Sequence, residues 1–299
     1  LALVVGVLAV STSAILIKVA DAPPLAIAFW RCTGGSLALL PFAARASARS
    51  GPLDPLQRRQ LLASGLFLAA HFAAFVSSLS YTTVASAAVL VATVPLFVGV
   101  GAAVFLSEPA TRMTWAGIAL AIAGAVGIAL ADLTGLASGD ALFGDVLAFA
   151  AAALVAGYLI IGRAARQRLA VSRYAAGVYG VAAVALLIAA VATDSPLTGY
   201  SSATWLAIAG MVVGPQLLGH TVFNTLLGDV TPTVIAVVVI AEPVGATILA
   251  YLFLAETPAA GFWWAAPLIV AGVCLSVVGA RPGEPVVAAD AVDVASPQP

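Results

Sequence analysis

The sequence predicts an all-α integral membrane protein: ten transmembrane helices forming two inverted five-helix repeats around a central cavity. Three observations carry this. Apolar residues make up 63% of the 299 positions and charged residues 8%, with mean hydropathy +1.13, whereas a soluble domain is about 25% charged. The apolar residues fall into ten runs of about 20, the length that crosses the hydrocarbon core. Shifting the chain by 148 residues aligns its rare residues with one another.

The ten spans are read at 1–20, 25–44, 60–80, 85–106, 113–131, 142–162, 172–192, 202–224, 232–254 and 260–280. Each must be a helix, because an open strand leaves backbone groups unpaired in lipid. The first run shows no cleavage site and is followed by nine more, so it reads as a span and not a signal peptide. The longest connections, 45–59 and 132–141, are rich in Gly, Pro, Ser or charge. The tail 282–299 has little to bury and is expected to be disordered.

Orientation follows from the basic residues. With a cytoplasmic N-terminus, Arg45, Arg49, Arg58, Arg59, Arg112, Arg163, Arg166, Arg168, Arg173 and Arg281 all lie on the cytoplasmic side. Lys18 and Arg31 sit in span ends near the outer face, and the outer loops carry acids only: Asp21, Asp132, Asp140, Asp194 and Glu256. Both termini then face the cytoplasm.

Under the 148-residue shift Pro95 falls on Pro243, Glu108 on Glu256, Trp115 on Trp263 and Gly124 on Gly272. Ala and Val matches are common by chance in this composition, but Pro, Glu, Trp and Gly are not. The repeats are 1–133 and 140–281, five spans each. An odd number inverts the second copy, the signature of secondary transporters whose solute site lies near the midplane.

Several stretches resemble the EamA-type ten-helix branch of the drug/metabolite transporter superfamily: AIAFWR at 26–31, SEPATRMTWAGIALAIAGAVGIAL at 107–130 and AEPVGATILAYLFLAETPAAGFWWAAPLIVAG at 241–272. Within that branch the chain looks most like the YddG-type amino-acid exporters. The resemblance implies solute export from a bacterial cytoplasm, of amino acids, aromatic ones included, and related compounds or of drugs. It also implies a cavity lined by spans 1, 3, 4, 6, 8 and 9, with 5 and 10 outside.

Polar residues at bilayer depth are costly and mark sites or helix–helix bonds. Gln216, His220 and Asn224 share one face of the eighth span, behind Pro215, which removes a backbone hydrogen bond. His71, with Phe75 and Ser78, lies in the third span. Glu242 precedes Pro243, and its repeat counterpart is Val94, so the acid is one-sided while the proline is shared. Each can serve a cavity or bond neighbouring helices. Ser11 shares a face with Lys18, which can snorkel or meet a carboxylate. Arg31 is expected to pair with Asp21 or Glu256, while Glu108 and Glu256 read as helix-end groups. Tyr158 and Trp30 suit a cavity wall or an interface equally. Pro95, Pro215 and Pro243 mark where spans can flex during alternating access.

Enzyme motifs are absent from the sequence: no HExxH, GxSxG or P-loop. No cofactor is indicated. Cys32 and Cys274 lack metal spacing, and a net charge of −1 gives no basis for a nucleic-acid partner. The expected partners are a small-molecule substrate and the bilayer. A channel remains an alternative, though the polar groups cluster at mid-depth instead of lining a continuous path. The orientation is testable by cysteine labelling in intact cells. Cysteines at Ser47 and Gln167 should be protected from an impermeant reagent and those at Ser138 and Ser195 should react; the reverse pattern refutes the topology.

Overall fold

A computed structural model describes residues 1–82, 87, 90–131, 141–254, 258 and 261–280. The 132–140 connection, Glu256, Arg281 and the 282–299 tail lie outside the described residues, as does the side chain of Lys18. The helices are α1 (Ala2–Val19), α2 (Pro24–Ser50), α3 (Pro55–Ser78), α4 (Val94–Phe105), α5 (Arg112–Ala131), α6 (Ala141–Arg166) and α7 (Val171–Ala192). They are followed by α8 (Ser202–Leu226), α9 (Pro232–Val239), α10 (Glu242–Leu254) and α11 (Phe262–Gly279). The protein is therefore an all-α, multi-span membrane fold. Its lipid-facing surface is apolar: Leu206, Ile188, Val104 and Leu252 are each more than half exposed, which only a hydrocarbon solvent tolerates.

Several predicted boundaries move, each for a local reason. The second span does not stop at 44; α2 continues to Ser50 and ends at Gly51, whose φ of 69° suits glycine. The third begins at Pro55 instead of 60. Asp54 accepts a bond from the Gln57 amide (2.8 Å) while Gln57 accepts from the Asp54 amide (3.1 Å), and Pro55 occupies the first turn. This reciprocal cap satisfies two otherwise orphaned donors. The predicted 45–59 loop thus shrinks to a few residues.

Three spans carry proline-centred irregularities. The eighth is α-helical over Ser202–Met211, widens into a π-helix over Val212–His220, and returns to α over Thr221–Leu226. Pro215 lies inside the widened stretch and is the identifiable cause, since it offers no N–H to the ladder. The fourth span is interrupted at 92–93, just before Pro95, and the ninth at 240–241, just before Pro243. The short bonds Thr93 N–H to Leu90 (3.2 Å) and Ile240 N–H to Val237 (3.0 Å) bridge only three residues and tighten the chain at each break. The ninth span is therefore two helices, and Glu242 stands in the first turn of the second rather than mid-helix.

Packing builds a bundle. α2 lies on α7, α3 on α6 and α7, and α4 on α6 and α9. α1 packs on α8 and α10, and α5 on α11. The main core lies between α2, α3, α6 and α7, around Leu68, Phe72, Tyr174 and Tyr179. Between α5 and α11 the backbones approach closely. A Cβ on Gly124 would meet the Ala265 carbonyl at 2.8 Å, and one on Gly272 the Ala121 amide at 2.5 Å and the Gly117 carbonyl at 2.6 Å. In lipid, where burying apolar surface supplies no drive between helices, such close contact is the main source of association. Gly272→Leu should therefore cost about 1–3 kcal/mol, read as a lowered Tm in detergent. Gly180→Ala, whose Cβ would meet only the Ser36 hydroxyl at 3.2 Å, should be nearly neutral. Equal Tm values for the two would show that the α5–α11 contact carries no stability.

Candidate functional site

Seven of the ten predicted spans converge on one cavity. Arg31 (α2), His71 and Phe75 (α3), Tyr158 (α6), His220 (α8) and Glu242 (α10) all face it, with Val91, Val94 and Ile235 supplying apolar wall. Its volume is about 90 Å³, well below the ~300–1,000 Å³ of drug-sized sites. It holds a small solute or a few waters without rearrangement.

Arg31 is the centre of the site. It is buried, its Nε donates to Gln216 Oε1 at 2.8 Å, and one terminal nitrogen donates to the Ser13 hydroxyl at 3.3 Å. The guanidinium carbon sits 4.5 Å from the centroid of the Phe72 ring, a cation–π arrangement that strengthens as water is removed. The expected partner Asp21 is exposed and not bonded to it, while Glu256 lies outside the described residues. Glu242 shares the cavity with Arg31, but no ion pair within 4.0 Å joins them; Glu108 pairs instead with Arg163. The cavity thus carries one cation and one acid held apart. Glu242 lies at a helix N-terminus, where the backbone dipole favours a carboxylate.

His71 Nδ1 lies 2.9 Å from the Ala151 carbonyl. A carbonyl only accepts, so Nδ1 carries a proton and Nε2 of the neutral ring is an acceptor. Phe75 stacks on His71 with centroids 6.0 Å apart, and Phe72 meets His220 edge-on at 5.5 Å. His220 has no hydrogen-bond partner among the described residues; its ring contacts are Phe72 and Tyr158.

The remaining predicted residues sit beside the cavity. Gln216 is fully buried and orients Arg31 from behind. Asn224 accepts from the Tyr158 hydroxyl (2.6 Å) and donates to the Tyr179 hydroxyl (3.2 Å), which meets Thr221 Oγ1 at 3.1 Å. Thr221 in turn donates to the Gln216 carbonyl at 3.0 Å. This chain bonds Asn224 and Thr221 of α8 to α6 and α7. Gln216, His220 and Asn224 therefore share a face but not a cavity, and only His220 opens into it. Ser11 donates to the Val7 carbonyl (2.8 Å) and the Glu242 carbonyl (3.1 Å), joining α1 to the start of α10. Ser78 bonds the Phe75 carbonyl within α3. Trp30 lies at the α2 end, its indole bonded to the Leu197 carbonyl at 2.7 Å and packed on Trp205. Pro95 and Pro243 sit at the breaks beside the cavity, and Pro215 within the π segment.

Glu108 closes a separate cluster. Arg163 Nε and a terminal nitrogen reach its Oε1 at 2.9 and 2.7 Å, and Arg163 also bonds the Leu227 and Gly228 carbonyls. This ties the α4–α5 connection to the end of α8.

The sequence model of the EamA-like transporter family matches residues 1–130 and again 142–278. The chain belongs to the EamA-like transporter family. It is thus a membrane transporter and not an enzyme. Among the described residues no group of three His, Cys, Asp or Glu could hold a metal. A protein of Escherichia coli strain K12 described as "uncharacterized inner membrane transporter YedA" is 30% identical over 288 residues, which cover 94% of this chain and 91% of its own. The protein of the same description in strain O157:H7 matches equally. A solved crystal structure superposes with a TM-score of 0.77 at 21% identity, covering 94% of this chain and 96% of that one; that likeness concerns the fold.

In this EamA-family chain Gln216 holds Arg31 through the 2.8 Å bond to its Nε. A hydrogen bond to a charged group contributes about 1.5–3 kcal/mol, so Gln216→Leu should weaken solute affinity about tenfold while leaving the folded fraction intact. Liposome uptake with size-exclusion chromatography checks this. Unchanged affinity in a well-folded variant would remove Gln216 from the site.

Proposed function

We propose that this transporter exports zwitterionic amino acids across the bacterial cytoplasmic membrane, as its resemblance to the YddG-type amino-acid exporters implies. The observation that carries the reading is the pair Arg31 and Glu242, of opposite charge, facing one small cavity without pairing with each other. An α-amino acid presents a carboxylate and an ammonium at fixed separation. Carboxylate at Arg31 and ammonium at Glu242 would satisfy both charges of the cavity at once, and charge left unpaired in low dielectric is costly. Phe72, Phe75 and Tyr158 offer apolar faces to the side chain. The inner-membrane description of the Escherichia coli relative supports the location.

The mechanism we infer is alternating access in a ten-helix bundle of two inverted repeats, 1–133 and 140–281, with both termini cytoplasmic. The family model matches the chain twice. Seven long apolar helical stretches are accompanied by three shorter ones at the predicted positions. The breaks at 92–93 and 240–241 are 148 residues apart. The close contact of Gly124 with Ala265 recurs, under the same shift of 148, as that of Gly272 with Gly117. Bending at the two breaks and in the π segment would open the cavity to one side and then the other.

A drug cation is the alternative solute for the same cavity, since it would need Glu242 but not Arg31. Counterflow in proteoliposomes separates the two. The wild type should exchange an amino acid, but neither its amide, which lacks the carboxylate, nor its deaminated acid. Arg31→Gln and Glu242→Gln should each lose amino-acid exchange by tenfold or more, since each removes one of the two charges that hold the zwitterion. Exchange of the amide by both wild type and Arg31→Gln would replace the amino acid with a cationic solute. Unaltered transport by Glu242→Gln at every pH would leave the acid a structural role.

A further inference from the structure

A second cavity, unrelated to the solute site, opens between the end of α2 and the start of α7. Its volume is about 480 Å³, and it is lined by Leu39, Phe42, Arg45 and Arg49 of α2, Ser172 of α7 and Thr221 of α8. Four features describe its chemistry. No acid lines it. Arg45 and Arg49 are exposed, and neither has a hydrogen bond or ion pair among the described residues. One terminus of the wall is apolar, with Phe42 more than half exposed on the lipid-facing surface. The Ser172 hydroxyl adds a polar group at the level of the arginines.

Depth decides the occupant. α2 has 27 residues, so at about 1.5 Å per residue it is about 40 Å long, whereas the hydrocarbon core is about 30 Å thick. Arg45 lies 21 residues beyond Pro24, about 32 Å along the axis, and so falls in the headgroup layer. Phe42 and Leu39 lie about one and two turns deeper, in hydrocarbon. A site with two cations at phosphate depth and an apolar slot beneath them is complementary to one molecule: an anionic phospholipid, its phosphate between the guanidiniums and an acyl chain along Leu39 and Phe42. Arginine suits this role through its forked donors. A soluble anion would use the arginines but leave the apolar slot unfilled.

We propose that this cavity is a binding site for an anionic phospholipid. The lipid would touch Thr221, the residue that closes the π segment onto Gln216, and so would rest against the helix that positions Arg31.

Native mass spectrometry of the full-length protein in detergent, with phosphatidylglycerol or phosphatidylcholine added, tests the site. The wild type should retain phosphatidylglycerol several-fold more than phosphatidylcholine. Arg45→Gln with Arg49→Gln should abolish that preference, and the paired lysine substitutions should keep most of it. Arg58→Gln with Arg59→Gln, which removes two other exposed arginines on the same side, should leave it unchanged. Equal retention of the two lipids overturns the proposal, as does an equal loss in the Arg58 and Arg59 variant, which would mean general surface charge. Displacement of phosphatidylglycerol by millimolar inorganic phosphate would make the site one for a soluble anion and equally refute it. The glutamine variants change exposed side chains only. Should they nonetheless fail to fold, Phe42→Glu, which places a charge in the acyl slot, must reduce retention of phosphatidylglycerol or the proposal fails.

Discussion

Every backbone N–H and C=O inside the hydrocarbon layer must find a partner within the protein, and this constraint shapes all the rest. It makes each span a helix, and it limits where a helix can be interrupted. The interruptions at 92–93 and 240–241 and the π segment over Val212–His220 all lie where other helices surround them. There, nearby side chains add hydrogen bonds to the backbone. Ser11 reaches the Glu242 carbonyl, and Thr221 reaches the Gln216 carbonyl. The cavity forms where these irregularities meet, because a broken helix leaves both space and unspent polarity beside it.

Two of the three buried arginines among the described residues show how differently the same charge can be treated. Arg163 is fully enclosed, paired with Glu108 and bonded to two backbone carbonyls. Its donors are spent, and it locks connections together. Arg31 is also buried, but its neighbours are neutral: a glutamine oxygen, a serine hydroxyl and an aromatic face. These soften the cost of the charge without cancelling it. Its potential remains directed into the cavity, toward Glu242. Held in this way, a cation attracts an anion that arrives and leaves, whereas a direct ion pair would be nearly inert to a passing solute.

Much of the site was legible. His71, Tyr158, His220 and Glu242 stood out as polar or aromatic residues in apolar runs, and all four line the cavity. Pro95 and Pro243 announced the breaks, since a proline lacks the N–H that an unbroken helix requires. Arg31 was visible as a charge in a span end and was expected to pair with Asp21 or Glu256; Asp21 does not bond it, and Glu256 lies outside the described residues. Phe72 and Ser13 gave no signal at all: one is a phenylalanine in a phenylalanine-rich helix, the other a serine among small residues. Their importance comes from standing opposite Arg31, which no local pattern encodes.

The sequence by itself determined that the protein lives in lipid and that its polypeptide is helical. It also determined which residues are too polar to face hydrocarbon, because composition and run length set the transfer energy of each segment independently of its neighbours. Tertiary structure alone decided how those polar residues are shared out. Gln216, His220 and Asn224 lie on one face of one helix, yet the first holds Arg31, the second opens into the cavity and the third bonds two tyrosines. Periodicity fixes the direction a side chain takes from its own helix axis. What it meets there depends on the crossing of helices distant in the chain, and that is set by close packing at contacts such as Gly124 and Gly272.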